Sequence, residues 1–269
     1  MRPIIFLSDL GVRDEFVGVC HAVIETRAPG AKVIDLSHGV PPQDVGTGAV
    51  LLADAAPFLP ADSIVLGIVD PGSGSERKAV AVTTVSGMLL VGPDNGLLSM
   101  AWNVLGGIAS AVEITASEVL LSPVSKVFQG RDVFAPAVAH VARGGDPVAL
   151  GPALDPATLV TAHLNEPVVE HGLIKGEVFD VDRFGNVRLN VRMSHVEAAD
   201  LAAAGELEAV SPAGSVKAIR VDTYREIPEG AVGLLVDAWG WLSLARFATE
   251  AASALDVGPG DMVWLKPLE

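Results

Sequence analysis

The sequence predicts a two-part architecture: an α/β domain with a largely parallel sheet over residues 1–166, then a smaller, mainly antiparallel, barrel-like β domain over residues 167–269. Three observations predict it. Over the first half, apolar runs of strand length alternate with amphipathic stretches of helical length. From about Pro167 onward the texture changes to short apolar runs separated by Gly, Pro and Asp turns. Between these halves the segment 151–167, holding Pro152, Pro156 and Pro167, reads as a linker.

In chain order, strands are expected at 4–7, 33–35, 64–69, 79–84 and 88–91, and helices at 14–27, 44–58, 95–104 and 132–142. Each apolar run ends in a polar or Gly-rich turn, which is how a strand leaves a sheet. In the second half, strands are expected at 175–181, 186–191, 216–221 and 262–265, and the Ala-rich stretch 198–204 reads as a short helix.

Composition narrows the function classes. Half of the 269 residues are apolar, enough for a sizeable core. The net charge is −15, from 33 acidic and 18 basic residues, with no Lys/Arg run. Nucleic acid and anionic lipid are therefore repelled, and a cationic or neutral small ligand suits the field better. No apolar run approaches the ~20 residues of a membrane span, and residues 1–9 hold no signal-like segment. The single cysteine, Cys20, rules out a disulfide framework and a Cys-rich zinc site, so cytoplasm is the expected compartment.

Ligands of open α/β sheets bind at the carboxyl ends of the strands, so polar residues there are the first candidates. The first strand runs into Ser8, Asp9, Leu10 and Gly11, with Asp14 at the expected helix start, where it serves either as a ligand contact or as an N-cap. The second leads to Asp35, Ser37 and His38, the histidine being a base, a metal ligand or a hydrogen-bonded loop residue. The third ends in Asp70-Pro71-Gly72-Ser73-Gly74-Ser75-Glu76-Arg77, which is neither a Walker A loop nor a dinucleotide fingerprint. Asp70 and Arg77 read either as a structural charge pair or as a device for holding a nucleophilic water. Gly92-Pro93-Asp94-Asn95-Gly96 reads as a turn and cap. Phe128-Gln129-Gly130-Arg131-Asp132 opens a helix, and Asp182-Arg183-Phe184-Gly185-Asn186 joins two strands, an aromatic face beside an amide that also suits an adenine.

Taken together, five segments resemble the S-adenosylmethionine (SAM) hydroxide adenosyltransferase, or SAM hydrolase, family, which is related to the SAM-dependent fluorinase and chlorinase. They are Phe6-Leu7-Ser8-Asp9-Leu10-Gly11, Val69-Asp70-Pro71-Gly72, Gly92-Pro93-Asp94-Asn95-Gly96, Gly130-Arg131-Asp132 with Phe134-Ala135-Pro136, and Phe184-Gly185-Asn186. The resemblance implies hydrolysis of SAM at C5′ to adenosine and methionine, with SAM as substrate, no cofactor and no metal. It further implies a homotrimer with the ligand between the first domain of one subunit and the β domain of its neighbour. On the same resemblance Asp9 holds the ribose hydroxyls, and Gln43 stands where the halogenases pack a tryptophan against the sugar. Ser73, Phe128 and Gly130 line the space at C5′, with Asn165 near the ribose. Phe184, Asn186 and Tyr224 enclose the adenine, Asp14 and Asp182 face the methionine ammonium, and Trp239 lies at the methionine end.

The family's hydrolases share an Asp-Arg-His set that orients or activates water, and Asp70 and Arg77 match its first two members. The third departs from the pattern, because the usual Phe-His-Gly-Arg-Asp here has Gln129 in place of histidine. A neutral amide orients water but takes no proton near neutral pH, so slow turnover is expected. Halide use is disfavoured, since a carboxylate at position 70 repels the anion. Two alternatives stand beside hydrolysis: a protein that binds SAM or adenosine without turnover, and a metal-dependent phosphoesterase using Asp9, Asp14, Asp35, His38, Asp94 and Asn95.

Overall fold

A strand covered on both faces carries no polar alternation, and the first strand is such a run: Ile4, Ile5, Phe6, Leu7 and Ser8 are all buried in the computed structural model, which describes residues 1–268. Ile4 and Phe6 join one core cluster with Cys20, Ile24, Phe134 and Val138. Ile5 and Leu7 join another with Leu52, Leu97 and Trp102. Successive side chains leave a strand on opposite faces, so one sheet is sandwiched between two helical layers.

The first unit runs β1 (Ile4–Ser8), α1 (Phe16–Arg27), β2 (Val33–Ser37), α2 (Val45–Ala55), β3 (Ile64–Ile68), β4 (Ala79–Thr84), β5 (Leu89–Pro93), α3 (Ser99–Val104), β6 (Ile108–Glu113), α4 (Ala135–Ala142) and β7 (Ala153–Leu154). Its strands are ordered β2-β1-β3-β5-β4-β6-β7. Pairing is parallel from β2 through β1 and β3 to β5, and antiparallel from β5 through β4 and β6 to β7. The short turn between β4 and β5 leaves no room for a crossover helix, which forces that pair to be antiparallel. Because β1, β2 and β3 are parallel, the residues that follow them emerge at one edge. The Asp9 amide donates to the Ile68 carbonyl (3.2 Å) and the Gly11 amide to the His38 carbonyl (2.9 Å).

The second unit runs β8 (Val168–Glu170), β9 (Leu173–Val181), β10 (Val187–Leu189), α5 (Met193–Ala198), β11 (Glu206–Ser211), β12 (Gly214–Arg220), β13 (Val232–Val236), β14 (Leu242–Ala245), α6 (Ala251–Leu255) and β15 (Met262–Pro267). The order β10-β14-β13-β12-β11-β15-β9 closes on itself through β9–β10 pairing, giving a seven-stranded barrel with β8 added outside the ring. Only β12 and β13 pair in parallel. Closure removes the strand edges that a small sheet would expose. Ile174, Val178, Leu189, Leu207, Leu234, Leu244 and Val263 fill the interior.

Several boundaries differ from expectation for local reasons. α1 starts at Phe16 rather than at Asp14, and its N-cap, Glu15, makes no side-chain cap, so Asp14 is an exposed loop residue instead of a cap. α3 starts at Ser99 because Asn95 Oδ1 accepts from the Leu97 amide and Gly96 sits at φ +98°, which together make a turn of the preceding residues. No helix covers 198–204: α5 ends at Ala198, Asp200 adopts φ +60°, and Leu201 drops into the barrel core. The two compact units divide after His163, within the 151–167 segment read as a linker, and Asn165 falls in the second unit.

Candidate active site

Asp70 follows β3 at the carboxyl edge of the sheet, and the turn after it folds back so that Arg77 meets its carboxylate with two nitrogens. The Arg77 Nε–Asp70 Oδ1 distance is 2.6 Å, Nη2 donates to Oδ2, and both side chains are nearly buried. The same Nη2 donates to Gln129 Oε1 at 2.6 Å, and Nη1 to the Lys78 carbonyl at 3.2 Å. Phe134 lies under the guanidinium at 5.5 Å. Arg77 thus reaches a partner 52 positions along the chain and joins it to Asp70.

Gln129 directly precedes a π-helical turn, Gly130–Phe134, that leads into α4. Gly130 is buried, and a side chain there would crowd Ile68 and the Phe128 ring. Phe128 meets Phe16 edge-on at 5.2 Å, with the Arg131 guanidinium 5.4 Å above its ring. The turn is anchored by buried Asp132, which accepts from Arg131 Nε (2.6 Å), Arg131 Nη2 (2.8 Å) and the Ser125 amide (2.8 Å). The hydrogen bond from Arg131 holds the Asp132 carboxyl below its ordinary range, against the opposing effect of burial.

Asp9 lies at the same edge, with Oδ2 accepting from the Gln43 amide at 2.8 Å. Gln43 adopts φ +67°, a conformation that only a few per cent of non-glycine residues hold, and this bends its amide toward Asp9. Ser73 is in the turn after Asp70, its amide donating to the Asp70 carbonyl (3.2 Å). Of the oxygen-bearing residues considered for a phosphoesterase, Asp94 accepts from the Val160 amide (2.9 Å) and Asn95 spans the Val69 carbonyl and Leu97 amide, so both serve the turn.

Asp35 and His38 do converge, together with His21 of α1, which sequence reasoning missed because a single exposed-face histidine on a helix carries no signal by itself. Asp35 Oδ1 is 2.8 Å from His21 Nε2 and 3.1 Å from His38 Nε2. Burial alone would raise the Asp35 carboxyl, but the two imidazoles outweigh it and hold it low. His38 Nδ1 is 2.7 Å from Ser8 Oγ, and Phe6 meets its ring edge-on at 4.6 Å.

In the barrel unit, Asp182, Arg183, Phe184, Asn186 and Tyr224 line one cavity of about 610 Å³ with Arg246, Phe247, Ala248, Thr249 and Glu250. This size is ordinary for a small-molecule site. Phe184 stands open to solvent at 70% exposure beside half-exposed Tyr224, with the Arg183 guanidinium 6.0 Å from the Phe184 ring centroid. Asp182 accepts from the Phe184 amide (2.8 Å), the Asn186 amide (3.0 Å) and Asn186 Nδ2 (2.8 Å), fixing the turn that presents them. Gly185 at φ +76° lets that turn approach Glu250, where any Cβ would overlap. Burial, then the carboxylates of Asp182 and Asp237, push the Tyr224 phenol up. The 246–250 wall was not foreseen, since Ala248 at φ +57° carries no sequence signature. Asn165 donates to Glu177 (2.7 Å), and Trp239 donates its amide to Asp237 (2.9 Å); neither lines the cavity.

Comparison with known proteins fits both units. Residues 4–151 match the SAM hydroxide adenosyltransferase N-terminal domain and residues 176–264 its C-terminal domain. The (R)-S-adenosyl-L-methionine hydrolase of Salinispora tropica is 42% identical over 258 residues, covering 95% of this chain and 94% of that protein. The (R)-S-adenosyl-L-methionine hydrolase of Thermus thermophilus is 38% identical over 267 residues, covering 97% and 98%. The crystal structure of an uncharacterized conserved protein from Thermotoga maritima is similar at a TM-score of 0.89 and 31% identity, covering 98% of this chain and 99% of that one. With both domains matched in order along one chain, the protein belongs to the SAM hydroxide adenosyltransferase family.

Proposed function

We propose that the protein hydrolyses SAM at C5′ to adenosine and methionine, with the (R)-sulfonium epimer preferred, as the names of its relatives indicate. The observation that carries this reading is the Asp70–Arg77–Gln129 cluster at the sheet edge. SAM carries a sulfonium, so its leaving group departs as a neutral thioether and needs no general acid. Water oxygen bonds to C5′, the C5′–S pair passes to sulfur, and the water proton must go to a base.

Arg77 only donates hydrogen bonds, so Gln129 has to turn Oε1 toward it, leaving the amide NH₂ as an outward donor. Within the cluster Asp70 alone can accept the proton, and Arg77 holds that carboxylate in place. Positioning of water and desolvation supply the remaining acceleration. Asp9, Asp14, Gln43, Ser73, Phe128, Gly130 and Asn165 serve the ribose, C5′ and methionine ends in this reading, and Phe184, Asn186 and Tyr224 the adenine, supported by their common cavity. Asp182 and Trp239 are assigned to the methionine end on the family resemblance. We place the enzyme in the cytoplasm as a homotrimer that needs no cofactor; with one cysteine, the fold calls for no internal disulfide.

The test is incubation with each SAM epimer in excess chelator, followed by chromatography. Adenosine and methionine should appear in equal amounts, faster from the (R) epimer, and Asp70→Ala should slow release by about 10²–10⁴-fold. An unchanged rate in that variant would remove Asp70 from its role, and SAM binding without product would leave a binding protein.

A further inference from the structure

We propose that His21, Asp35 and His38 form a binding site for a transition-metal dication, best suited to Zn²⁺, which uses none of the residues assigned to hydrolysis. Three elements deliver the donors: α1 brings His21, β2 brings Asp35, and the loop after β2 brings His38. The three donor atoms all lie within 4.8 Å of one another. Tetrahedral ligation at about 2.0–2.1 Å spaces neighbouring donors by roughly 3.3 Å, so the two contacts to Asp35 Oδ1 need to open by only about half an ångström or less. Two imidazoles and a carboxylate are the donor set that zinc and its first-row neighbours take, with solvent completing the shell.

A second observation points to a ligand. His38 has a side chain only 5% exposed, and its Nε2 is buried without a hydrogen-bond partner among the described residues. Its nearest charged neighbour is the Asp35 carboxylate, 3.1 Å away. Leaving such an atom unmet is unfavourable, so an occupant is favoured. On the opposite side of the ring, Ser8 Oγ takes Nδ1, and the Leu10 amide donates to that same hydroxyl at 3.3 Å. With Ser8 accepting from Nδ1–H, the Nε2 lone pair is directed at the centre of the three donors, the arrangement in which an outer partner orients a metal-bound imidazole. Solvent reaches the site through Asp35 and His21, whose side chains are 46% and 33% exposed. Binding would release to solvent the proton between His21 Nε2 and Asp35, and Ser8 ties the site, through His38, to the backbone on either side of Asp9.

The test is calorimetric and visible-absorption titration of tag-free, chelator-treated full-length protein with Co²⁺, then displacement by Zn²⁺. One equivalent should bind with ligand-field bands in the visible, and Zn²⁺ should bleach them and raise the thermal midpoint. His21→Gln and Asp35→Asn should each abolish the bands while circular dichroism stays native, and Ser8→Ala should weaken binding by about 10–100-fold. Absence of stoichiometric binding, or bands that persist in either ligand variant, overturns the proposal. Because the readout is metal binding, either result leaves the hydrolase reading to its own test.

Discussion

At the scale of single residues, the proposed chemistry turns on one guanidinium, because Arg77 holds both the Asp70 carboxylate and the Gln129 amide. On the proposed mechanism, replacing Gln129 with histidine would add a second proton acceptor to this cluster. We expect Gln129→His to raise the rate of adenosine formation by up to about 10²–10⁴-fold. The gain should appear as pH rises through about 6.5, where the imidazole becomes neutral. Equal rates and the same pH profile in both proteins would mean that Asp70 suffices. Asp70 and Arg77 were legible as a pair, lying seven residues apart after an apolar strand that reads as buried. Gln129 was legible only by family resemblance, since nothing local links it to a partner 52 positions away.

At the scale of elements, the cluster depends on how the π-helical turn aims Phe128 and Gln129, and Asp132 ties that turn to the preceding loop through Arg131 and the Ser125 amide. Asp132→Asn should destabilise the fold by about 1.5–3 kcal/mol near neutral pH, the range for hydrogen bonds to a charged group. Because the folded-state value of Asp132 is held low, its contribution is full above the unfolded value of about 3.9 and is lost as pH falls through the depressed folded value. Urea unfolding of the two proteins should therefore diverge at pH 7 and converge in acid below about pH 4; a gap that does not narrow would show that the charge is not the source. β1 and β3 were readable because strands buried on both faces have no polar alternation to confuse them. The start of α3 was misplaced, and a helix was expected over 198–204 where none forms, because backbone conformation at Gly96 and Asp200 makes turns that residue type alone does not dictate.

At the scale of the whole molecule, the proposed contacts fall into two sets, Asp9, Asp70, Arg77 and Gln129 in the first unit and Phe184, Asn186 and Tyr224 in the second. The change in texture near Pro167 made the two units legible, but a monomer sequence carries no direct mark of which copies cooperate. In a homotrimer whose sites each combine the first unit of one subunit with the second unit of its neighbour, two different defects can compensate. Asp70→Ala spoils the first set and Phe184→Ala the second, so each homotrimer should be slow. Mixing them at random, by joint refolding or co-expression, places an intact first unit against an intact second unit at one site in four, and activity should recover to roughly one quarter of the unmutated protein. Recovery absent from mixed assemblies of trimer mass would mean that each site is built within one chain, and a mass below that of three chains would remove the trimer itself.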